Sequence, residues 1–384
     1  MNTLEKAKVL THSGSYDSCG PKSCEVTVNS GLGGIYYAKA EHKTCRLFKT
    51  LMDNSCSFDC KYCANSTSSC DKRKASYEPS ELASLFIHLM KKMWVDGLFL
   101  SSAISNDPNR VTEKMLEAVR LLRHKHNFRG YVHFKVLPGT SYELIKQASE
   151  LSTRMSINLE APNKSVMSEL SSCKDYKIDI LRRQAWMSKF KLSGGQSTQM
   201  IINRFSTDLD VLRMADWEYS NLNLRRVYYS AFKPIKGTPL EDEKAEPLIR
   251  EARLYNTDFL MKDYNYKLNE FKEIMDDGML PRQDPKWALA KATFDKPIDI
   301  NQSSYEELIR VPGIGPKTAS KIIDKKEKIK KYEQLHQLGV ILNRAKPFIE
   351  VDGKRQKMLS EFATVDWGLE RSETPIACQP SVTS

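Results

Sequence analysis

Asn54-Ser-Cys56-Ser-Phe-Asp-Cys60-Lys-Tyr62-Cys63 is the stretch that decides the fold of this chain. It places three cysteines within eight residues, with spacing C-x3-C-x2-C, directly after the apolar run Arg46–Leu51. Thiolates are the usual ligands of iron–sulfur cubes, which normally take four. Three on one short loop wrap a cube and leave its fourth iron without a protein ligand. A zinc site completed by Cys70 is the competing reading of the same residues.

Outward from this loop, apolar runs alternate with helical stretches. Strands are predicted at 46–51, 97–100, 131–136, 155–159, 198–202 and 227–232. Helices are predicted at 80–94, 113–125, 141–150, 179–189 and 208–219. Strand–helix repetition at this spacing gives parallel βαβ units with right-handed crossovers. Six of them make a partial (β/α)6 barrel of the TIM type, an α/β fold. Two strands alternate instead of reading as continuous apolar runs. His133 and Lys135 share one face, as do Ser156, Asn158 and Glu160. Polar residues of one parity predict a barrel interior that holds a ligand.

The pattern C-x3-C-x-aromatic-C, with Tyr62 as the aromatic, resembles the radical S-adenosylmethionine superfamily. The resemblance implies a 4Fe–4S cluster on Cys56, Cys60 and Cys63, with S-adenosylmethionine docked on the open iron. Reductive cleavage would then yield a 5′-deoxyadenosyl radical, the cofactors supplying the chemistry and the protein the orientation. A reducing partner such as ferredoxin or flavodoxin is implied as well. Tyr62 is expected beside the adenine, and Asn158 and Glu160 beside the ribose or carboxylate. Ser101-Ser102-Ala103 stands where the family often has Gly-Gly-Glu. Gln199-Met-Ile-Ile-Asn203 lacks the glycines the family often shows on strand five. Tyr228 or Tyr229, with Tyr229 preferred, is a candidate hydrogen-atom relay.

Near the C-terminus, Val311-Pro-Gly313-Ile-Gly315-Pro-Lys317 follows a short helix signalled by Ser303, Ser304 and two glutamates. Proline at the start of the next helix and glycines in the turn resemble the helix-hairpin-helix motif, a small all-α unit that grips the nucleic-acid backbone. Gly313, Gly315, Lys317 and Lys321 are the expected contacts, and a weaker second copy begins at Tyr332. The surrounding residues 286–357 hold 16 Lys or Arg against 9 Asp or Glu, more than half of the chain's net +11. The same hairpin is similar to that of endonuclease III-type glycosylases. Residues 332–338, however, lack the aspartate that those enzymes need, so Lys317 reads as a phosphate contact rather than a nucleophile.

Residues 44–350 as a whole resemble radical S-adenosylmethionine proteins classed with DNA modification and repair. Gly97-Leu-Phe-Leu-Ser-Ser, Gly195-Gln-Ser-Thr-Gln-Met and Val227-Tyr-Tyr-Ser-Ala-Phe carry the likeness. It implies DNA as substrate and a uracil-DNA-glycosylase-like partner. An RNA- or tRNA-modifying enzyme and a non-catalytic iron–sulfur nucleic-acid binder are the alternatives.

The expected organisation is an irregular cysteine-containing segment over 1–43, the barrel over 44–243, and a helical extension over 244–285. The hairpin domain follows over 286–352, with a disordered tail over 353–384. Nine cysteines, seven of them between Cys19 and Cys70, favour metal binding over a disulfide framework. Cys19, Cys24, Cys45 and Cys70 raise the question of an auxiliary cluster. No apolar run approaches the roughly 20 residues of a membrane span, and Met1–Val9 lacks a signal-like apolar core, so the expected location is the cytoplasm.

Overall fold

A computed structural model of the chain describes residues 1–15, 24–28, 32–40, 43–69 and 73–355. It divides into two compact units, Met1–Pro285 and Lys286–Ser384. The first is built on one eight-stranded sheet. Its strands are β1 (Cys24–Val28), β2 (Leu32–Ala40), β3 (Lys43–Leu51), β4 (Gly97–Ser101), β5 (Tyr131–Lys135), β6 (Arg154–Ser156), β7 (Gln196–Ile202) and β8 (Arg226–Ala231). The strands lie side by side in sequence order. β1, β2 and β3 form an antiparallel meander, and every pair from β3 to β8 is parallel.

Helices α2 (Pro79–Lys91), α3 (Pro108–Arg120), α4 (Tyr142–Leu151), α5 (Lys164–Leu170), α6 (Arg182–Met187) and α7 (Asp208–Leu222) fill the crossovers, with α8 (Leu248–Asp263) after β8. This is the six-unit partial barrel that the alternation predicts. Side chains at helix starts fix where several begin: Asp107, Asn163 and Thr207 each accept a backbone N–H of the first turn.

The sheet's two faces differ sharply. Phe48, Leu100, Phe134, Met155, Met200 and Tyr229 point outward into one continuous core beneath the helices. The opposite parity carries Lys49, Phe99, His133, Ser156 and Gln199, all buried yet mostly polar. His133 Nε2 and Ser156 Oγ lie 2.8 Å apart, and the His133 ring packs 4.3 Å from that of Phe99. Lys49 Nζ sits 4.6 Å from the Tyr36 ring centroid. Thus the inner face is polar, as the alternation in β5 and β6 predicts.

Two sequence expectations need correction. Residues 1–43 are not an irregular lead-in: α1 (Thr3–Ser13) opens the chain with a reciprocal Asn2–Glu5 capping box. Ala7 and Leu10 of α1 join the core, while β1 and β2 extend the sheet. Glycine-rich sequence hid β2, since glycine is depleted in strands. Here Gly34 has φ +79°, and a Cβ on it would lie 2.6 Å from Thr11 of α1, so close packing demands glycine.

β6, in turn, ends at Ser156 rather than running on to Leu159. Thr198 Oγ1 donates to the Ile157 carbonyl and accepts from Leu159 N, replacing ladder bonds with side-chain ones. The chain rejoins β7 at Glu160.

The second unit holds α10 (Pro285–Thr293, starting at the boundary), α11 (Tyr305–Arg310), α12 (Pro316–Ile323), α13 (Tyr332–Leu338) and α14 (Leu342–Ala345). The region 244–285 before it contributes α8 and α9 (Leu268–Lys272), with α8 packed on β8. A small sheet of β9 (Ile298–Asp299), β10 (Ile349–Val351) and β11 (Lys354–Arg355) closes the second unit. The tail expected from 353 therefore begins with an ordered strand, and its remainder from 356 lies outside the described residues. Among the described residues, no helix is long and apolar enough to cross a membrane.

Behind the sheet, Glu218 of α7 is fully buried and accepts one bond from Gln184 Nε2 at 3.3 Å. Burial pushes its carboxyl up to about 8. The native state therefore keeps a proton that the unfolded chain releases above the ordinary carboxylate range. Stability falls as pH rises from about 4.5 to about 8. Glu218→Gln removes this loss, on the order of 5 kcal/mol. Its melting temperature should exceed wild type by several degrees at pH 8.5 and by far less at pH 5. Equal shifts at both pH values would refute the assignment.

Candidate active site

The cysteine loop leaves β3 at Leu51 and is laced to the end of β4. Met52 N donates to Ser101 O, Asp53 N to Ser102 Oγ, Ala103 N to Asp53 O, and Ser57 N to Ile104 O. Asn54, wholly buried, spans the loop's entry. Its Nδ2 donates to Ser13 Oγ and Arg73 O, and its Oδ1 accepts from Ala75 N. At the loop's exit Asn65 Nδ2 donates to Ser13 O, so the end of α1 braces both sides.

Between the first two cysteines, the Asp59 carboxylate accepts from Ser171 Oγ at 2.6 Å, Ser172 N at 3.0 Å and Cys173 N at 3.3 Å. Burial opposes its charge, yet these bonds hold it well below the usual carboxylate range. Lys61 N adds a bond to Leu170 O. The loop is thereby riveted to the segment that follows α5.

Cys56, Cys60 and Cys63 all line one cleft of about 800 Å³ at the C-terminal ends of the strands. Ser101 and Ser102 after β4, and Asn158 and Glu160 after β6, line the same cleft, as does Tyr62. Every sequence-predicted cofactor contact thus faces the three thiols across one space. Ser102 is already engaged with the Asp53 backbone, and Asn158 Nδ2 donates to Glu160 Oε1 at 3.3 Å. Glu160 has φ +64°, a left-handed conformation that a non-glycine residue seldom adopts. Bonds from Glu160 N to Gln199 O and from Ile201 N to Glu160 O clamp it there.

These groups lie near enough to shift one another's titration. Burial first, then the charges of Cys60 and Cys56, push the Cys63 thiol up to about 12, partly offset by Asn65 N donating to its sulfur. Burial and the Glu160 and Cys60 charges raise the Tyr62 hydroxyl well above its ordinary value. Lys174, absent from the sequence expectations, lines the cleft with its Nζ 3.3 Å from Tyr62 Oη. Burial works against its ammonium, but Cys60 and Glu160 outweigh it and raise its pKa. Lys233 and Lys236, both exposed, stand at the mouth on the loop after β8, which is tied to the cysteine loop by Leu240 N donating to Lys61 O.

The donors suit an iron–sulfur cube: three sulfurs on one braced loop face an open space large enough for a further ligand. Among the described residues, no three His, Cys, Asp or Glu side chains form a compact site for one metal ion. Tyr229 is not brought to this cleft. It occupies the outward parity of β8, only 1% exposed, and donates to Asp258 Oδ1 of α8 at 3.0 Å. Its neighbour Ser230 has the inner parity and lines the cleft instead. Cys45 lies six residues before the end of β3, about 20 Å along the strand from the cysteine loop. Cys19 and Cys70 lie outside the described residues, and of Cys24 only the backbone is described.

In the second unit, α11 and α12 form one hairpin and α13 and α14 another. Gly313, with φ +88°, packs against the second hairpin: a Cβ there would lie 2.5 Å from Ile341 O, and Ile341 N donates to Gly313 O at 3.0 Å. The glycine therefore joins the two hairpins. Gly315 caps α12 in an extended conformation, and Lys317 and Lys321 lie exposed on one face of that helix.

The helix-hairpin-helix motif family model matches residues 294–343, which contain the first hairpin and the second as far as the start of α14. No curated protein matches the chain. Among solved structures it is similar to methylornithine synthase PylB (12% identity, TM-score 0.45, covering 54% of this chain and 61% of that one). It is also similar to the FeFe-hydrogenase maturase HydG from Carboxydothermus hydrogenoformans (11%, TM-score 0.46, 56% and 51%). A third is Streptococcus suis SuiB bound to S-adenosylmethionine (10%, TM-score 0.46, 56% and 47%). The chain spans less than two thirds of the length of each. The architecture rests on the sheet order itself.

Asp59→Ala should free the cysteine loop from residues 171–173. Bonds to a charged group contribute about 1.5–3 kcal/mol. Amide hydrogen exchange across 55–63 and 171–174 of the metal-free chain should therefore quicken at least about tenfold. Unchanged exchange would show that the other bonds suffice.

Proposed function

We propose that this chain is a radical S-adenosylmethionine enzyme acting on nucleic acid, with DNA base modification or lesion repair as the reaction class. The observation that carries the reading is the convergence of three thiols and the cofactor-type polar groups on one cleft. A 4Fe–4S cluster on Cys56, Cys60 and Cys63 would supply one electron to cleave the sulfonium and so provide a hydrogen-abstracting radical. The protein's part is to orient and enclose. Tyr62 offers a ring beside the cysteines for the adenine, and Asn158 and Glu160, fixed by the break in β6, offer acceptors to the ribose or amino group. The carbonyls of 101–103 add acceptors where Ser102 itself is occupied.

Two features support a nucleic-acid substrate. Paired hairpins present Lys317 and Lys321 without base-reading elements, which suits backbone contact. At the cleft mouth, Lys233 and Lys236 suit phosphates flanking a nucleotide inside. Enzymes that act on a base take it unstacked or single-stranded.

Anaerobically reconstituted chain should release 5′-deoxyadenosine from S-adenosylmethionine under a low-potential reductant, and Cys60→Ala should abolish it. Intact iron and sulfide with no 5′-deoxyadenosine would leave a nucleic-acid binder without turnover. The second unit has its own test. Lys317→Ala/Lys321→Ala should weaken duplex binding and flatten the dependence of log K on log salt by about 1.8, near 0.9 per phosphate. Gly313→Val is the poorer probe, because it separates the hairpins. An unchanged slope would place the phosphate contacts elsewhere, and tighter binding of tRNA than duplex would move the substrate to RNA.

A further inference from the structure

Lys174 reaches the cysteines by a rigid route. It is the fourth residue after α5, and the three before it, Ser171, Ser172 and Cys173, are the ones held by Asp59. Asp59 itself lies next to Cys60. The same clamp therefore fixes a thiol and a lysine against one another. The lysine's Nζ lies 3.3 Å from Tyr62 Oη and 5.8 Å from that ring's centroid, and it lines the same cleft as Cys60. The residue is half-buried and lines the cleft.

We propose that the Lys174 ammonium sets the reduction potential of the cluster through its fixed positive charge beside the cysteine ligands. This rests on the cluster assignment above and goes beyond it. A cube with three thiolates is already anionic, and reduction adds one electron from an external low-potential donor without making or breaking a bond. A fixed cation beside the ligand sulfurs lowers the energy of the more negative state. Hydrogen bonds to sulfur and local charge are among the main determinants of such potentials. Half-burial of the lysine strengthens the effect, since charges interact more strongly away from bulk water. Glu160 acts with the opposite sign on the same space, so removing the lysine leaves the carboxylate unopposed and moves the midpoint down.

The test is an EPR-monitored redox titration of the reconstituted full chain without S-adenosylmethionine, comparing wild type with Lys174→Met, Lys174→Gln and Lys174→Arg. At the wild-type midpoint, Lys174→Met should lower the reduced-to-oxidised ratio about tenfold, or about 59 mV for one electron. Lys174→Arg should recover most of that. If Lys174→Met takes up too little iron to titrate, Lys174→Gln decides, because it keeps an N–H donor and loses only the charge. Its midpoint should fall in the same direction. A full cluster with an unmoved midpoint in either variant overturns the proposal, as does an unmoved midpoint with weakened S-adenosylmethionine binding, which assigns the lysine to the cofactor instead. Failure of both variants to hold a cluster assigns it to the loop's integrity and also overturns it. A wild-type chain that takes up no 4Fe–4S cluster sinks the function proposed above rather than this inference.

Discussion

The Asp59 carboxylate, bonded to the backbone and hydroxyls of Ser171 and Ser172, is the contact on which the candidate site depends. A loop that carries three soft ligands gains little from its own secondary structure, because its internal backbone bonds are turns such as Cys63 N to Cys60 O and Thr67 N to Phe58 O. Its shape must come from outside. Asn54 fixes one end against Ser13 and Arg73, Asn65 fixes the other against Ser13, and Asp59 fixes the middle. Short amide and carboxylate side chains suit this work, since they satisfy several backbone groups at little cost in rotamer freedom. Ionised Asp59 makes the strongest of these bonds.

That bracing explains why α1 and the β1–β2 hairpin exist at all. The six parallel strands already bury their outer face under six crossover helices and α8. Without α1, the Asn54 and Asn65 amides would lose Ser13 and be left buried beside the cysteines. The helix in turn requires Gly34, because β2 passes so close to Thr11 that a methyl group would collide. A packing constraint far from the thiols thus determines where the thiols stand.

The six parallel strands, their order and the three cysteines were legible in the sequence because each rests on a local pattern: apolar runs, helical spacing, clustered ligands. What escaped was tertiary. Tyr228 and Tyr229 differ by one position, and in a strand that difference moves a side chain from the interior to the opposite face. Choosing Tyr229 placed on the cleft a residue that packs on Asp258. Lys174 stands in Ser-Ser-Cys-Lys-Asp, without periodicity, and is brought to the cysteine loop by bonds of the preceding residues with Asp59 and Lys61, more than 100 positions earlier in sequence. A clue was present even so: Asp59 between two cysteines is a strong acceptor in a loop, and Ser171-Ser172 supplies matching donors. The hairpin motif was legible as a motif, yet the reason for Gly313 was not. Its glycine serves contact with the second hairpin rather than with a ligand.

Glu160 shows how the barrel makes room for chemistry inside a regular sheet. Had β6 continued, residues 157–160 would alternate, and Asn158 and Glu160 would stand apart along one face like any strand neighbours. Thr198 instead takes over the ladder bonds of Ile157 and Leu159, and the chain turns through a left-handed residue before rejoining β7. The cost of a positive φ at glutamate is of order 1–3 kcal/mol. Bonds to Gln199 and Ile201 offset it, and the turn brings Asn158 and Glu160 within 3.3 Å of each other on the cleft. An unstrained glycine would relieve the backbone but remove the carboxylate that faces Tyr62 and Lys174. The strained glutamate thus gives the cleft a carboxylate that glycine would not, which ties the irregularity of β6 to the cleft rather than to the stability of the sheet.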